Sequence, residues 1–327
     1  MPNRILLALD GSAMDEAAFA EAKRIAAGGA EVHLLHVVPS RAVPVGTPLM
    51  GMVDVSATPP IAVGGTGAQA QVTGDFPPTR PMGTAAWRET PIYEQAARYL
   101  EGFRQRLRGI NGQDIVRTGA PADAILEVAL MFNIDLIAMA THARTGIARW
   151  FLGSVSQAVL KRSQLPVLLV RQGHLVRPGR LRRILVPLDG TAESRAILSV
   201  VKPLAARANA EILLLEVIRR PSPSALTPRP ASGDPANLAG DLEKDGVAWR
   251  SVTAHGDPTE EILKHARSLD ADLIAMSTHA RRGRLWRGTS VAEAVLARTD
   301  RVVLLQNPVI HAERRVHPPS GPLMRTN

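Results

Sequence analysis

Apolar residues along this chain fall in short, nearly continuous runs separated by amphipathic stretches. Ile5–Leu9, Val32–Val38, Asp114–Thr118, Asp135–Ala140 and Pro166–Val170 are rich in Ile, Leu, Val and Ala. Unbroken runs of this length suit strands covered on both faces, as in a parallel sheet. Between them Ala13–Ala27, Ile92–Arg108, Pro121–Phe132 and Ser154–Ser163 carry helical spacing. Gly28-Gly29 stops the first of these helices, and the third has Pro121 in its first turn. The pattern resumes downstream, with strands expected at Ile184–Leu188, Ile212–Val217, Trp249–Thr253, Leu273–Ser277 and Val302–Leu305. Pro203 lies in the first helix of this second set and is expected to kink it or end a turn. Strand–helix alternation of this kind predicts α/β architecture, with a doubly wound parallel sheet in each half.

The two halves share sequence as well as pattern. Gly119-Ala-Pro-Ala-Asp-Ala-Ile-Leu-Glu, running on through Asp135-Leu-Ile-Ala-Met-Ala-Thr-His-Ala-Arg144, returns without a gap 137 residues later, at Gly256 through Arg281. The openings Ile5-Leu-Leu-Ala-Leu-Asp10-Gly and Ile184-Leu-Val-Pro-Leu-Asp189-Gly match at an offset of 179, so the first copy carries 42 more residues between these landmarks. Solenoid repeats recur every ~20–50 residues, so a repeat this long is a whole domain. The expected organisation is a first domain over 1–171, a linker over 172–181, a second domain over 182–307 and a tail over 308–327. An insert at 39–91, rich in Pro and Gly, and its shorter counterpart Arg219–Pro235 are too poor in apolar residues to offset the cost of ordering. Both are expected to be mobile. They follow the second strand of each copy, so a lid over the sheet edge and an insertion without a role both remain open.

Composition narrows the chemistry. The 327 residues are 45% hydrophobic but only 3% aromatic, which argues against single-stranded nucleic-acid binding by stacking. The chain has no cysteine, which excludes thiolate catalysis and cysteine-held metals. The net charge of +9 would attract polyanions, but no long basic block concentrates it, and nucleic acid is not the expected partner. No apolar stretch approaches the ~18–20 residues of a membrane helix. The N-terminal apolar run is short and ends in Asp10, unlike a signal peptide. The expected location is therefore the cytoplasm, away from membranes.

In each copy, four features converge on the carboxyl edge of the predicted sheet. The first strand ends in Asp10-Gly11 or Asp189-Gly190, and the second in Val37 or Val217. The fourth ends in Met139–Arg144 or Met276–Arg281. A small-residue turn then opens a helix, at Gly153-Ser154-Val155-Ser156 or Gly288-Thr289-Ser290. If strand order reverses between strands one and four, this edge is a topological switch point. A helix N-terminus there presents amide N–H groups that suit phosphate. Ser154, Ser156 and Ser290 could add hydroxyls, and the aspartates could accept from ribose. Each feature also has an ordinary structural role: Gly-Ser and Thr-Ser as helix caps, Asp-Gly as a turn, His142 and His279 on loop carbonyls.

The Leu-Asp-Gly strand end, the Asp-Leu-Ile-Ala-Met-x-Thr-His-Ala-Arg block, the Leu152-Gly-Ser-Val-Ser-Gln-Ala-Val-Leu helix and the Pro-Val-Leu-Leu-Val ending together resemble the universal stress protein family. The resemblance covers both copies outside the inserts and tail. It implies a five-stranded parallel sheet of order 3-2-1-4-5 in each copy. It also implies pairing of the copies as a pseudo-dimer, often through their last strands, and leaves room for a homodimer and an unnamed protein partner. The implied ligand is a nucleotide, ATP, with Mg as a candidate companion ion. In the first copy the implied contacts are Asp10, Val37, Met139, Ala140, His142, Ala143, Gly153, Ser154, Val155 and Ser156. In the second they are Pro187, Asp189, Val217, Met276, Ser277, His279, Thr289, Ser290 and Val291. Both copies depart from the Gly-x2-Gly-x9-Gly-Ser/Thr pattern of nucleotide-binding members. The first reads Ala140-x2-Ala143-x9-Gly153-Ser154; the second reads Ser277-x2-Ala280 and then only seven residues before Gly288-Thr289. Only the second keeps a proline, Pro187, two places before its aspartate, where the first has Ala8. ATP is expected in the first copy before the second.

Absent motifs matter too. The chain has no Gly-x4-Gly-Lys-Ser/Thr phosphate loop, no Gly-x-Ser-x-Gly elbow and no paired carboxylates placed for acid–base work. His33 and His36 lack acidic partners at metal spacing and read as core or edge histidines. The expectation is a stress-response regulatory or binding module with no catalytic residues and no metal site, capable at most of slow ATP hydrolysis. The alternative is a nucleotide-free structural or protein-interaction scaffold of the same fold.

Overall fold

The computed structural model describes residues 3–39, 61–63, 91–141, 152–171, 173–174, 176–218, 242, 246–278 and 290–308. The first copy runs β1 (Arg4–Leu9), α1 (Asp15–Ala26), β2 (Glu31–Val38), β3 (Ile61–Val63), α2 (Pro91–Arg104, with a 3-10 turn Gln105–Leu107), β4 (Asp114–Thr118), α3 (Pro121–Met131), β5 (Leu136–Thr141), α4 (Ser154–Arg162) and β6 (Val167–Arg171). The second runs β7 (Arg183–Leu188), α5 (Ala192–Arg195), α6 (Leu198–Ala208), β8 (Glu211–Ile218), β9 (Trp249–His255), α7 (Pro258–Ser268), β10 (Leu273–Ser277), α8 (Val291–Arg298) and β11 (Val302–Gln306).

All eleven described strands join one sheet, in the order β3-β4-β2-β1-β5-β6-β11-β10-β7-β8-β9. Leaving β3 aside, each copy contributes five parallel strands in the order 3-2-1-4-5, the arrangement the family resemblance implies. The copies meet last strand to last strand: β6 and β11 pair antiparallel, with Leu168 opposite Leu304. Side chains alternate across the sheet. Ile5, Leu7, Leu34 and Leu168 pack under α1, α2 and α6, while Leu6, Leu35, Ile137 and Leu169 pack under α3, α4, α7 and α8. Both core layers run unbroken across the seam. A fully buried leucine such as Leu6 or Leu168 contributes about 1.5–3 kcal/mol by leaving water.

The repeated block has a structural cause. Asp135 accepts the backbone N–H groups of Asn3 (2.7 Å) and Arg4 (3.1 Å), tying the loop before β5 to the start of β1. Asp272 repeats the clamp on Arg182 (2.8 Å) and Arg183 (3.0 Å). In both copies an arginine on the first strand also reaches back to the end of the third-strand helix, Arg4 to the Phe132 carbonyl and Arg183 to that of Leu269.

Two details lie beyond the sequence pattern. Within the insert, Ile61–Val63 forms β3, antiparallel to β4. Three consecutive apolar residues among Pro and Gly suffice to take up an open sheet edge. The rest of 40–90 lies outside the described residues, as does Arg219–Pro235. Pro203 sits inside α6, and the helix is interrupted upstream of it, at Ala196 and Ile197 between α5 and α6. The carbonyl left without its partner belongs to Ser199, an exposed residue, so water can take it up.

Ionic groups are buried at the seam. Glu21 on α1 is fully buried and receives Arg24 at 2.6 Å and His174 Nε2 at 2.7 Å. Arg24 also faces Asp272 of the second copy at 3.4 Å, and the other ring nitrogen of His174 contacts the Asp300 carbonyl at 3.0 Å. Arg177 reaches Asp270 (2.6 Å) and Asp272 (3.6 Å).

Candidate functional site

The strand order reverses at β1, which has β2 on one side and β5 on the other, and in the second copy at β7. The carboxyl ends of these strands therefore border the switch-point crevice. In the first copy the residues that share the α3/α4 face there are Ala8, Val37 and Met139. Ala8 pairs in register with Met139 across β1–β5. Alternation along β1 places Asp10 on the same side, just beyond the strand, where it is exposed. Three expected positions, Asp10, Val37 and Met139, are thus brought together, with Ala8 among them.

Gly11 (φ +87°) and Gly190 (φ +80°) hold the turns after the two aspartates. Their left-handed φ explains the Asp-Gly pair in both copies, since other residues adopt that conformation only with strain. Asp10 closes its turn by accepting from Ser12 N (3.0 Å); Asp189 accepts from Thr191 N (3.0 Å) and Thr191 Oγ1 (2.6 Å).

At the other end, the N-cap of α4 is Gly153, which has no side chain with which to cap the helix. Ser154 is exposed, Val155 half-buried and Ser156 buried. The Ser156 hydroxyl turns inward and donates to the Ala140 carbonyl at 3.4 Å. Ala140, which stands where family members have glycine, is an ordinary strand residue of β5 and is not among the positive-φ residues. An alanine there costs no backbone strain. His142, Ala143, His279 and Thr289 lie outside the described residues, as do Arg144 and Arg281.

The second copy differs at both ends. Ser290 is the N-cap of α8 and forms a reciprocal capping box: its Oγ accepts from Glu293 N (3.1 Å) and its own N–H donates to Glu293 Oε2 (3.1 Å). A carboxylate therefore occupies the helix end that would face a phosphate, and Val291 begins the capped turn. Burial raises the Glu293 carboxyl above the ordinary range. Ser277 gives its hydroxyl to the Ser194 carbonyl at 3.5 Å, and Met276 is buried. The β7–β10 register covers only Ile184 and Leu185, whereas β1–β5 runs from Ile5 to Ala8. Pro187, which has no N–H to donate, accompanies this shorter pairing, with Val217 half-buried beyond it on β8.

Sequence reading missed a third element of the first site. Asp15 is 1% exposed, and its Oδ2 accepts from Asp10 N (2.9 Å), Gly11 N (2.8 Å) and Tyr99 Oη (2.6 Å), while Oδ1 has no partner. Burial, with the nearby Asp10 charge, pushes its carboxyl up to about 6 against those hydrogen bonds. Burial and then Asp15 likewise raise the Tyr99 phenol. His36 packs on Tyr99 and donates Nδ1–H to the Leu9 carbonyl at 3.0 Å; burial lowers its pKa. The available signal was a second aspartate five residues after the first; its partner Tyr99, 84 positions away, left none.

This arrangement predicts a pH effect. The folded pKa of Asp15 exceeds its ordinary value of 3.8, so its contribution is present below that value and is lost as pH rises through about 6. Replacing Asp15 by Asn keeps one carbonyl oxygen for the three donors and removes the titration. Between pH 4 and 7 the variant is expected to gain on the order of 3 kcal/mol relative to the wild type. Urea melts of both proteins at the two pH values measure it, and parallel pH profiles would exclude the assignment.

A surface groove among the described residues lies elsewhere. It has a volume of about 530 Å³ and is bordered by Glu260, Leu263, Lys264, Arg267, Ser268 and Arg298. It follows α7 toward its carboxyl end, on the outer surface, and ion pairs between Arg298 and Glu260 line it. Its lining mixes the Glu260 carboxylate with Lys264, Arg267 and Arg298, and none of the expected site residues borders it.

Fold and site together define a tandem α/β protein with two switch-point crevices, one with glycine at its helix N-cap and one closed by a capping box. The universal stress protein family model matches residues 1–60, 70–171 and 180–305, and the chain belongs to that family. Its curated relatives include universal stress protein MJ0577 of Methanocaldococcus jannaschii, 33% identical over 83 residues, which are 25% of this chain and 51% of that protein. Another, from Thermus aquaticus, is 36% identical over 89 residues, covering 25% of this chain and 65% of the relative. The chain thus spans between half and two thirds of the length of these relatives. The crystal structure of a universal stress protein from Archaeoglobus fulgidus aligns over 94% of this chain and 97% of its own at a TM-score of 0.60 and 19% identity, a likeness of fold. Among the described residues no helix is long and apolar enough to cross a membrane.

Proposed function

We propose that this protein is a nucleotide-responsive stress module in which the first copy binds ATP and the second serves as a scaffold. The observation that carries the reading is the contrast between the two helix ends. The N-cap of α4 is Gly153, which supplies no capping side chain, whereas α8 is closed by Ser290 and Glu293. Hydrogen bonds to a charged group are worth about 1.5–3 kcal/mol each, so an uncapped turn facing a phosphate outweighs small differences elsewhere. In this reading the phosphates lie on the N–H groups of Ser154 and Val155, with Mg entering alongside them. The ribose meets Asp10, and the base lies over Ala8 and Val37. Nucleotide occupancy is then the signal a protein partner reads; the chain is a binder and not a metabolic enzyme.

One observation favours a nucleotide-free scaffold. The β1–β5 ladder reaches Ala8 and Met139, so the first crevice is zipped further than the second. Calorimetric titration of ATP into the full chain separates the two. The expected result is one site per chain, with a thermal shift that grows with ATP; at a hundred times Kd the stabilisation is about 2.7 kcal/mol. Neither heat nor shift at millimolar ATP would leave the scaffold reading standing.

A further inference from the structure

The two ends of the sheet are finished differently. At the first-copy end, β4 is covered by β3, with Ile61, Ala62 and Val63 opposite Val116, Ile115 and Asp114. At the other end β9 is the last strand, and among the described residues β8 is its one strand neighbour. The repeat offset of 137 maps Asp114, Ile115 and Val116 onto Ser251, Val252 and Thr253. In β4 the first three are buried; in β9 Ser251 and Thr253 are exposed and Val252 is half-buried. Among the described residues, no strand covers in the second copy the positions that β3 covers in the first.

We propose that the β9 edge is a self-association surface, on which a second copy of this chain pairs its own β9 antiparallel about a dyad at Val252. The strand reads Trp249-Arg-Ser-Val-Thr-Ala-His255. Paired this way, Val252 faces Val252, Ser251 faces Thr253, Arg250 faces Ala254 and Trp249 faces His255. No like charges stand opposite one another, and β-branched and aromatic residues supply the favourable cross-strand contacts. Arg250 is already held by Glu211 at 3.2 Å, so its charge does not guard the edge. Natural edge strands resist such pairing with prolines or inward charges, and β9 has neither. Antiparallel joining of strand edges is also how this chain closes its seam, at β6–β11, and its first-copy end, at β3–β4. The dimer would extend the two sheets end to end.

The lack of native cysteine makes the test clean. Directly opposed residues in an antiparallel pair lie about 4.5–5.5 Å apart at Cα, within disulfide reach. Under mild oxidation Val252→Cys is expected to give a covalent dimer on a non-reducing gel. Arg250→Cys, about 14 Å from its own copy in this register, is expected to stay single. Light scattering of the full chain should report a dimer. Ser251→Lys with Thr253→Lys places lysines opposite lysines at exposed positions that folding does not need, and should weaken that dimer at least tenfold. A wild type that is monomeric at its highest soluble concentration would overturn the proposal. So would a dimer that survives the double lysine variant, or cross-linking at position 250 in preference to 252.

Discussion

Replacing Arg24 by Met is expected to destabilise the protein by roughly 3–5 kcal/mol, the cost of leaving a buried charge without its partner. Arg24 stands between two carboxylates that solvent does not reach, Glu21 on its own helix and Asp272 of the second copy. Methionine matches the length of the stem but supplies neither charge nor donor. Asp272 would retain Arg177 at 3.6 Å and its two backbone donors, whereas Glu21 would keep only the His174 ring nitrogen at 2.7 Å, so most of the loss falls on Glu21. Converting Glu21 and Arg24 to Met together should cost less than the two single changes combined, because neither charge is then left alone. Urea unfolding of the four proteins measures this. A single variant within about 0.5 kcal/mol of the wild type, the usual range for an ordinary surface change, would mean that the buried ion pairs at the seam do not carry this stability.

The second large effect concerns the ligand. Ser154→Asp puts a carboxylate at the uncapped amino end of α4, much as Glu293 sits at that of α8. A negative charge there should stabilise the helix by about 0.3–1 kcal/mol. The same charge would stand where the proposed phosphates go, and ATP affinity is expected to fall roughly ten- to hundredfold, the worth of one charge-assisted hydrogen bond. Stability and binding thus move in opposite directions, which general damage to the fold cannot imitate. Ser290→Ala in the second copy is expected to cost about 1 kcal/mol of stability and leave ATP binding unchanged. A thermal melt and a titration on each variant check both halves of this expectation.

Much of the architecture was legible because buried parallel strands leave continuous apolar runs, and the Asp-Gly and Asp-Leu-Ile-Ala-Met blocks recur. Those repeats mark real constraints: a left-handed glycine in each turn, and an aspartate that clamps the first strand of each copy. The capping box was also readable, since Ser290 and Glu293 have Ser-x-x-Glu spacing just before an apolar run. Contacts that depend on folding left no such trace. Glu21, Arg24, His174 and Asp272 look like surface residues until the copies meet, and Arg24 and Asp272 lie 248 positions apart. The partnership of Asp15 with Tyr99 was hidden for the same reason. β3 was missed because three apolar residues within a Pro- and Gly-rich stretch give no periodicity to read.

Hydrogen exchange of the full chain with and without saturating ATP tests the central claim most directly. If the first copy holds the nucleotide, ATP should slow exchange at the end of β1 and its turn (residues 8–12), at the end of β2 (37–39) and across the first turn of α4 (153–157). The equivalent second-copy segments, 187–191, 217–218 and 290–293, should not change. Protection confined to the second copy, or none in either, would contradict the account.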